Sequence, residues 1–534
     1  LFYCLKKRGL YMTIDLYCSR KLKPAELPEY PDLSGRCLKG LSVVYPPARA
    51  NWKAYAKKLL THKNRYTGLT WAEDPALFSV VLINEGGSYT QAVLKEQSST
   101  GKIYRKAYAA WLRANRIPVK QKNDIATFIR FINQNQIAMQ DEFRSFLRQI
   151  GYTGLVSNVN HRRVMAEALI RDRIDYVDNH DYWDHPSFLP GRNWSFPYVH
   201  GQSSPLKSSG LVPGRLAPCR IFGKPYTVSE INFVYPNQYR FEEGTLLGAM
   251  SSLQDWDGIF FFAMAHSRDV LRRKEPVMRF DSVGDPLKLI SHRIVSLMFL
   301  QQMVKPAPTA YAMPFSEKLC RNLDEYPEYF QKLAFYCRVG ALAAGTQLPG
   351  VTILPSVAGD LSGLPEKLKQ KMTAPTINGE TSEITYDSAK YLFKVVAPCI
   401  ESIVTSGPAA GQVLAISGLD SSQCVTAVSI DGQTLVKSEK ILLFQQTNAL
   451  NKYLIFSSEN MMEVENWGER GKILLKRGQA QVSLRINNPA AKMVTALNFD
   501  GSEKRRIDAT MTGNKLSFTA DTANGTMIYL ITNK

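Results

Sequence analysis

The sequence predicts an α/β fold, namely a (β/α)8 TIM barrel that lacks its first two strand–helix units, followed by a small α/β linker region and a C-terminal antiparallel β-sandwich. Three observations lead to this prediction. Predicted strands and helices alternate over about the first 300 residues, which is typical of a parallel sheet covered by helices. Polar residues gather at the carboxyl ends of the strands, where such barrels keep their active sites. From about residue 385 the chain consists of short alternating runs separated by turn residues, which is typical of a sandwich.

Six predicted strands carry the α/β pattern, at residues 10–17, 77–84, 153–160, 174–183, 224–232 and 257–266. Helical spacing of apolar residues predicts helices at 48–61, 122–149, 162–172, 239–255 and 286–304. A closed barrel needs eight strands. The chain opens at Leu1 with what reads as the last turns of a helix, ended by Gly9. We therefore expect that two N-terminal strand–helix units are absent, and that strand 10–17 is an open edge not paired with 257–264.

The predicted domains follow from these patterns. Residues 1–305 form the partial TIM-barrel catalytic domain with strands 3 to 8 of the barrel. Residues 306–384 form a linker or small α/β region with Pro-rich loops and one helix at 323–345, and residues 385–534 form the C-terminal β-sandwich. The 534 residues are 45% hydrophobic and 21% charged, which indicates a globular protein.

The sequence argues against several classes of protein. The sequence has no run of 18 apolar residues, so it predicts no membrane span. Its eight cysteines include no CxxC pair, which argues against a zinc ribbon or a thioredoxin-type site. No GxGxxG follows a predicted strand, which argues against a dinucleotide-binding fold.

The net charge of +19 raises a polyanion as a partner. Residues 1–65 hold 14 Lys and Arg against 4 Asp and Glu, so about half of the excess lies there. Nucleic-acid binding would need a basic stripe with interleaved aromatic residues, and the sequence shows none; retention on DNA that depends on salt is the discriminating test. We therefore expect no nucleic acid partner.

The candidate catalytic residues lie at the carboxyl ends of the predicted strands. One strand ends in Asn84-Glu85 and another in Glu230-Ile231-Asn232, and Asn158, His180 and His266 close three more. Two carboxylates at one mouth of a barrel can hydrolyse a glycosidic bond, with one protonating the leaving oxygen and the other attacking the sugar when they lie ~5–5.5 Å apart. An amide beside a carboxylate supplies hydrogen bonds for a sugar hydroxyl.

These motifs resemble the clan of retaining (β/α)8 glycoside hydrolases that includes cellulase family 5 and the family 42 β-galactosidases, and in particular its bacterial cellulase-like members. "INEGGS" looks like the fourth, acid/base strand of the clan and "YTVSEIN" like its seventh, nucleophile strand. "DYVDNHDYWDHP" is similar to the sixth strand and "WDGIFFFAMAH" to the eighth. The resemblance covers about residues 1–305.

The resemblance implies a function and a set of site residues. It implies hydrolysis of β-glycosidic bonds in a plant or algal-type polysaccharide or oligosaccharide, with Glu85 as acid/base and Glu230 as nucleophile, no cofactor, no metal, and a secreted or periplasmic location. The expected substrate-binding residues are Asn84, Asn158, His180, Tyr182, Trp183, Asn232, Trp256 and His266.

Two departures from the clan leave an alternative open. Many relatives end the third strand in His, where this chain has Tyr17, and the clan's substrate-binding Arg on the second strand has no counterpart here. A non-catalytic carbohydrate-binding protein that keeps the glycosidase fold is therefore the alternative, and the chain without two strands could be inactive. Trp183, Trp194 and Trp256 are each either sugar platforms or core residues.

Two further hypotheses concern charged groups. Asp178 and Asp184 could bind a metal together with the nearby histidines, but their spacing is unspecific. An anionic polysaccharide would be attracted by the net positive charge, and the cationic residues expected near strand ends are Arg20, Lys21, Arg65 and Arg192. The alternative is that the positive charge lies on the outer helices and has no part in substrate binding.

Overall fold

The computed structural model describes residues 1–86, 90–118, 121–208, 212–272, 275–355 and 361–534. Gly87 and Ser88 of the "INEGGS" motif therefore lie outside the described residues. No helix in these ranges combines the length and the hydrophobicity needed to span a lipid bilayer.

All six predicted strands of the α/β region are present, each within a residue of its predicted range, although most are shorter. The strands of this region are β1 Met12–Asp15, β2 Leu77–Val81, β3 Leu155–Ser157, β4 Val177–Trp183, β5 Ser187–Phe188, β6 Tyr198–Val199, β7 Tyr226–Phe233 and β8 Gly258–Phe261. They form two parallel three-stranded sheets, in the orders β1-β2-β3 and β4-β7-β8. The two-residue strands β5 and β6 pair with each other outside these sheets.

The two parallel sheets are joined where β3 meets the chain before β4. The N–H of Asp175 donates to the carbonyl of Val156 at 3.0 Å, and the Asp175 carboxylate accepts from the Val156 N–H at 2.9 Å. Ser157 Oγ donates to the Tyr176 carbonyl at 2.9 Å. Within the described ranges β1 forms a ladder with β2 alone and β8 with β7 alone. The carboxyl ends of six strands thus face the same side.

Helices cover the outer faces of these sheets. They are α1 Phe2–Lys6, α2 Pro46–Leu60, α3 Ser99–Ala114, α4 Ile125–Gln149, α5 Ala168–Arg171, α6 Val212–Leu216, α7 Glu243–Leu253, α8 Arg268–Leu271 and α9 Pro286–Val295. Trp52 of α2 stacks on Phe143 of α4 at 3.8 Å between ring centroids. Its Nε1 donates to the carbonyl of Leu82 at 2.8 Å, which fixes the end of β2.

Two helix predictions differ from the structure. The segment predicted as a helix at 162–172 contains a 3-10 turn, Met165–Glu167, and only the short α5. The segment predicted as one helix at 323–345 divides into α10 Glu328–Leu333 and a strand, β10 Arg338–Ala343. A short apolar run does not distinguish a buried strand from a helix. Gly340 suits the strand, since a Cβ there would lie 2.5 Å from Arg220 Cγ.

Residues 306–384 contain a small parallel sheet. Its strands are β9 Ala310–Phe315, β10 and β11 Val351–Ile353, in the order β10-β9-β11. Helices α10 and α11 Glu366–Thr373 accompany it. The isolated bridge between Ile221 and Ala341 ties this sheet to the loop before β7.

The rest of the chain is antiparallel. Its strands are β12 Ile377–Asn378, β13 Ile384–Asp387, β14 Leu392–Ala397, β15 Ile400–Thr405, β16 Ala409–Ala410, β17 Leu414–Ser417, β18 Gln423–Ser429, β19 Ile441–Gln446, β20 Ala449–Asn451, β21 Ile455–Phe456, β22 Glu463–Asn466, β23 Ile473–Leu475, β24 Gln479–Arg485, β25 Lys492–Leu497, β26 Glu503–Ile507, β27 Ala509–Thr512, β28 Lys515–Asp521 and β29 Ile528–Asn533. A nine-stranded sheet, β12 to β26, and a five-stranded sheet, β16 to β27 in spatial order, contribute side chains to one buried apolar cluster.

Many hydrogen bonds connect this antiparallel region to the α/β region, and two of these contacts bear on the site. Thr245 of α7 and Ser402 of β15 are hydrogen bonded through their hydroxyls at 2.6 Å. Strand β22 pairs with β6, with Val464 opposite Tyr198, and completes a four-stranded sheet in the order β21-β22-β6-β5. The second contact places a C-terminal hairpin against the loop that follows β4.

Candidate active site

Glu85 lies four residues beyond the end of β2, in a strained backbone conformation. Its φ is +47°, a region that a non-glycine residue rarely adopts. The backbone N–H of Glu85 donates to Asn160 Oδ1 at 2.8 Å, which holds this turn. Such strain costs about 1–3 kcal/mol and is concentrated at functional sites. The turn places the Glu85 side chain, 33% exposed, at the carboxyl ends of the strands.

His180 lies between the two predicted catalytic glutamates. Its Nδ1 is 3.4 Å from Glu85 Oε1 and 3.7 Å from Glu230 Oε2. These two oxygens are therefore no more than about 7 Å apart, which is compatible with the separation that a retaining carboxylate pair requires. The parallel register of β4 and β7 sets His180 opposite Glu230. Tyr182, two residues further along β4, donates its hydroxyl to Glu230 Oε2.

A buried polar network holds the other side of the His180 ring. Its Nε2 is 2.9 Å from Ser229 Oγ and 3.0 Å from Asn160 Nδ2. Asp178 accepts hydrogen bonds from Ser229 Oγ at 2.5 Å and from Asn160 Nδ2 at 3.2 Å. Asn160 Nδ2 also lies 3.2 Å from Asp15 Oδ2. These bonds fix the ring so that Nδ1 faces the glutamates.

The ionisable groups of the site have shifted pKa values. The hydrogen bond from His180 is the main cause that lowers the pKa of Glu85 to about 2. Burial acts to lower the pKa of His180, but the bond to Glu85 and the Asp178 carboxylate raise it to about 9. Burial raises the pKa of Glu230, and it raises the pKa of Asp15 to about 7. At neutral pH the site thus pairs a Glu85 carboxylate with a His180 cation.

Two further predicted residues lie near this pair. Asn84 precedes Glu85, and its Oδ1 is buried without a hydrogen-bond partner among the described residues. His266 Nδ1 is 2.7 Å from Asp281 Oδ1, and the His266 ring lies 5.4 Å from the Phe262 ring. The Phe262 ring in turn contacts Tyr182 at 6.2 Å. His266 is therefore connected to the pair through aromatic contacts.

Four predicted substrate-binding residues point elsewhere. Asn158 Nδ2 lies 3.5 Å from Gln140 of α4, on the helix side of β3. Asn232 donates to the carbonyls of Phe262 and Phe280 at 2.6 and 2.9 Å, and so holds the segment after β8. Trp183 and Trp256 are buried in the main apolar core. Trp183 Nε1 donates to the Ser203 carbonyl, and Trp256 precedes β8, at the amino end of the strand.

The sequence analysis missed Asn160, Asp15, Ser229 and His161. His161 Nδ1 lies 3.5 Å from Glu85 Oε1. Strand β3 ends at Ser157 and Val159 has a φ of +61°, so the alternation of the strand does not continue to Asn160. A polar cluster directly after a strand was the available signal, since "SNVNH" contains both asparagines and the histidine.

Among the residues that the structure describes, Asp15, His180 and Glu230 form the one group that could hold a metal ion. Each offers a ligand atom, and these atoms lie within 4.8 Å of one another. A histidine binds a metal through the lone pair of a neutral ring. The pKa of His180 is raised to about 9, so a metal ion bound here would have to displace a proton from the ring. Asp184 instead accepts from the N–H groups of the loop after β6, at Gly201 and Gln202.

Comparisons with known proteins find similarity in structure alone. No family model and no curated protein matches the sequence. The endo-β-1,4-mannanase of Thermotoga petrophila is 12% identical with a TM-score of 0.33, over 59% of this chain and 65% of the mannanase. The glycoside hydrolase family 5 mannosidase of Rhizomucor miehei is 14% identical with a TM-score of 0.25, over 42% and 48%. The α-L-fucosidase isoenzyme 2 of Paenibacillus thiaminolyticus is 8% identical with a TM-score of 0.34, over 94% and 82%.

These structural neighbours are glycoside hydrolases of different families. The chain spans about two-thirds of the length of the Thermotoga mannanase it matches. Every TM-score is below 0.5, and the chemistry of the site is therefore derived from its own geometry.

Proposed function

We propose that the chain is a retaining glycoside hydrolase whose two parallel sheets are six strands of a (β/α)8 barrel. The observation that carries the proposal is the position of His180 Nδ1, 3.4 Å from Glu85 and 3.7 Å from Glu230. Two carboxylates close together at the carboxyl ends of parallel strands are what the double-displacement mechanism uses. The proposed substrate is a β-linked polysaccharide or oligosaccharide.

In this mechanism Glu230 attacks the anomeric carbon and Glu85 protonates the leaving oxygen. Glu85 then takes a proton from water, which attacks the covalent intermediate and releases the sugar from Glu230. The Tyr182 hydroxyl donates to Glu230, which stabilises its ionised form and orients it.

The acid step needs a proton on Glu85, but in the free site this proton is on His180. Glu85 is ionised and its proton partner is His180, because the pKa of Glu85 is lowered to about 2 by the hydrogen bond between them. A bound sugar that covers Glu85 removes water from it, and desolvation favours the neutral carboxylic acid. The His180 Nδ1 proton, 3.4 Å from Glu85 Oε1, is the nearest one available for transfer. For this transfer the bound sugar has to raise the pKa of Glu85 from about 2 toward that of His180, which is about 9 in the free site.

The experiment is a comparison of Glu230→Ala and Glu85→Ala on aryl glycosides with good and poor leaving groups. Glu230→Ala should lose activity by about 10³-fold or more on every substrate and regain part of it with azide. Glu85→Ala should keep far more activity on substrates with a good leaving group, because these need no proton. Glu366→Ala, whose side chain is 72% exposed, is the matched control and should behave as the parent.

Each other result has a definite meaning. Azide rescue of Glu85→Ala instead of Glu230→Ala would exchange the two roles. Equal, mild losses for both variants on all substrates would contradict a joint catalytic role. Oligosaccharide binding without turnover by the parent protein would identify a carbohydrate-binding protein that keeps the fold.

The net charge of +19 favours an acidic sugar chain, sulfated or uronic, within this substrate class. Neutral sugars give a positive field nothing to act on, whereas anionic chains are attracted and held by it. Lys39 supports this choice, because its charge is among the causes that lower the pKa of Glu85 and therefore acts at the site.

A further inference from the structure

A continuous row of aromatic rings leads from Glu230 to the protein surface. Tyr182 donates its hydroxyl to Glu230, and its ring lies 5.5 Å from the His185 ring. The His185 ring lies 5.8 Å from Trp194, nearly perpendicular to it at 79°. Phe280 lies behind all three rings, at 5.1, 5.3 and 6.3 Å between centroids.

Trp194 ends this row as an exposed ring. It is 51% exposed, whereas Trp183 and Trp256 are 9% and 4% exposed. A large apolar ring in water is costly to leave uncovered. In this row Tyr182 and His185 lie between Glu230 and Trp194, so Trp194 is the outermost ring of the row.

The Trp194 ring is held in place rather than free. It packs on Phe188 at 4.8 Å, and the guanidinium of Arg279 lies 5.8 Å from its centroid. The Trp194 carbonyl accepts from the Tyr198 hydroxyl at 2.7 Å. Pairing of β6 with β22 fixes Tyr198 opposite Val464. A ring that is already ordered loses little conformational entropy when a ligand covers it.

We propose that Trp194 and His185 form a second sugar-binding subsite, which takes a pyranose ring of the same chain beyond the sugar held by Glu85 and Glu230. This inference rests on the proposed function and specifies its substrate as an oligosaccharide or polysaccharide. The apolar C–H face of a pyranose covers the Trp194 ring, as aromatic side chains cover ligands in other apolar sites.

His185 supplies the polar contact. Its Nδ1 lies 2.9 Å from the Pro186 carbonyl, which can only accept, so Nδ1 carries the hydrogen. Nε2 is then an acceptor for a sugar hydroxyl. Burial lowers the pKa of His185, which keeps the ring neutral and this acceptor available at neutral pH.

The test compares Trp194→Ala and Trp194→Phe with the parent on β-linked oligosaccharides of increasing length. For Trp194→Ala we expect kcat/KM to fall about fivefold on long chains, mainly through KM, since one aromatic contact contributes about 1 kcal/mol. The loss should grow with chain length, and Trp194→Phe should restore part of it. Tyr66→Ala is the matched control, because Tyr66 is 61% exposed but stacks on Tyr3 of α1, near the amino end of β1.

The outcomes separate this inference from the proposed function. A loss in Trp194→Ala that is equal for all lengths, or no loss at any length, overturns the subsite. If the parent hydrolyses nothing, direct calorimetric titration with the longest oligosaccharide decides. Binding by the parent that is weakened in Trp194→Ala but not in Tyr66→Ala then supports the subsite while the hydrolase proposal fails. Absence of binding by the parent overturns both.

Discussion

His180 lowers the pKa of both glutamates, against the burial that raises the pKa of Glu230, because one nitrogen of its ring faces both carboxylates. The other nitrogen of the cation donates to Ser229 Oγ, and Asp178 accepts from Ser229 Oγ and from Asn160 Nδ2. A buried cation is costly unless it is paired, and the carboxylates around His180 provide that pairing. The consequence is a site in which one proton is shared among several groups, so its titration belongs to the cluster and not to one residue.

Asp15 gives the clearest test of this cluster. Burial raises its pKa from 3.8 to about 7, so the folded protein holds this proton more tightly than the unfolded chain does. Its contribution to stability is therefore full below pH 3.8 and is lost as the pH rises through 7. Asp15→Asn has no proton to lose, so the Tm of this variant minus that of the parent should increase between about pH 4 and pH 8.

Differential scanning calorimetry over this pH range measures the prediction for Asp15. Asp508→Asn, at an exposed carboxylate, is the control and should show a Tm difference that does not change with pH. A difference for Asp15→Asn that stays constant or shrinks as the pH rises would contradict the raised pKa.

At the residue scale, the site residues that could be predicted from the sequence are those in polar runs at the ends of predicted strands. Glu85, Glu230, His180 and Tyr182 end predicted strands in polar runs, and the structure brings all four together. Asn160 could not be located in the same way, since the left-handed turn at Val159 is a backbone property that no side-chain pattern shows. The roles of these residues remain proposals that the variants above test.

At the element scale the loop between β4 and β7 shapes the site. It contains β5 and β6, and it is held by a hairpin more than 250 residues away in the sequence, through the pairing of Tyr198 with Val464. Strands of two residues with partners so distant have no local signal, which is why the sequence indicated only a loop there. The six longer strands were predicted because their apolar β-branched runs are local.

Two glycines in the loop that follows this hairpin, between β22 and β23, provide a matched pair of variants. Gly468 and Gly471 have φ angles of +82° and +70°, so alanine at either position costs about 1 kcal/mol of backbone strain. A Cβ on Gly468 would also lie 2.4 Å from the Lys452 carbonyl oxygen, whereas one on Gly471 meets no atom within 4 Å. We therefore expect Gly468→Ala to lower the Tm more than Gly471→Ala.

The same pair tests whether the hairpin supports Trp194. Trp467, next to Gly468, packs on Tyr198 at 5.1 Å, and Tyr198 holds the Trp194 carbonyl. Gly468→Ala should raise KM for long oligosaccharides more than for short ones, and Gly471→Ala should not. Identical kinetics of the two variants, together with equal Tm values, would show that the hairpin does not position the loop.

At the scale of the whole molecule, the order of the elements was predictable but their partners were less so. Strand–helix alternation and the change near residue 385 follow from local patterns in the chain. The pairing of β6 with β22, and the hydrogen bond between Thr245 and Ser402, depend on how distant segments pack together. The helix prediction at 323–345 was wrong for the same reason, because β10 is a strand only through its pairing with β9.

The distribution of charge belongs to this scale as well. Four cationic residues were predicted near the strand ends. Of these, Arg20 pairs with Glu26. Arg65 lies beside Tyr66, which stacks on Tyr3 of α1 at the amino ends of the strands. Lys21 and Arg192 are exposed. Lys39 is a further cation whose charge lowers the pKa of Glu85, after His180 and His161. The sequence did not single it out because it lies in a loop far from any predicted strand.

An anionic substrate would therefore be captured by the field of the molecule and by Lys39 near Glu85. We expect kcat/KM for a sulfated or uronic oligosaccharide to fall roughly tenfold as the ionic strength rises from about 0.01 to about 1 M, because the screening length shrinks from ~30 to ~3 Å. A neutral oligosaccharide of the same length should change less than about twofold. Lys39→Gln should reduce the salt dependence with the anionic substrate, whereas Arg65→Gln, at the opposite end of the strands, should leave it nearly intact. The same response to salt for both substrates would show that the net charge of +19 has no part in substrate capture.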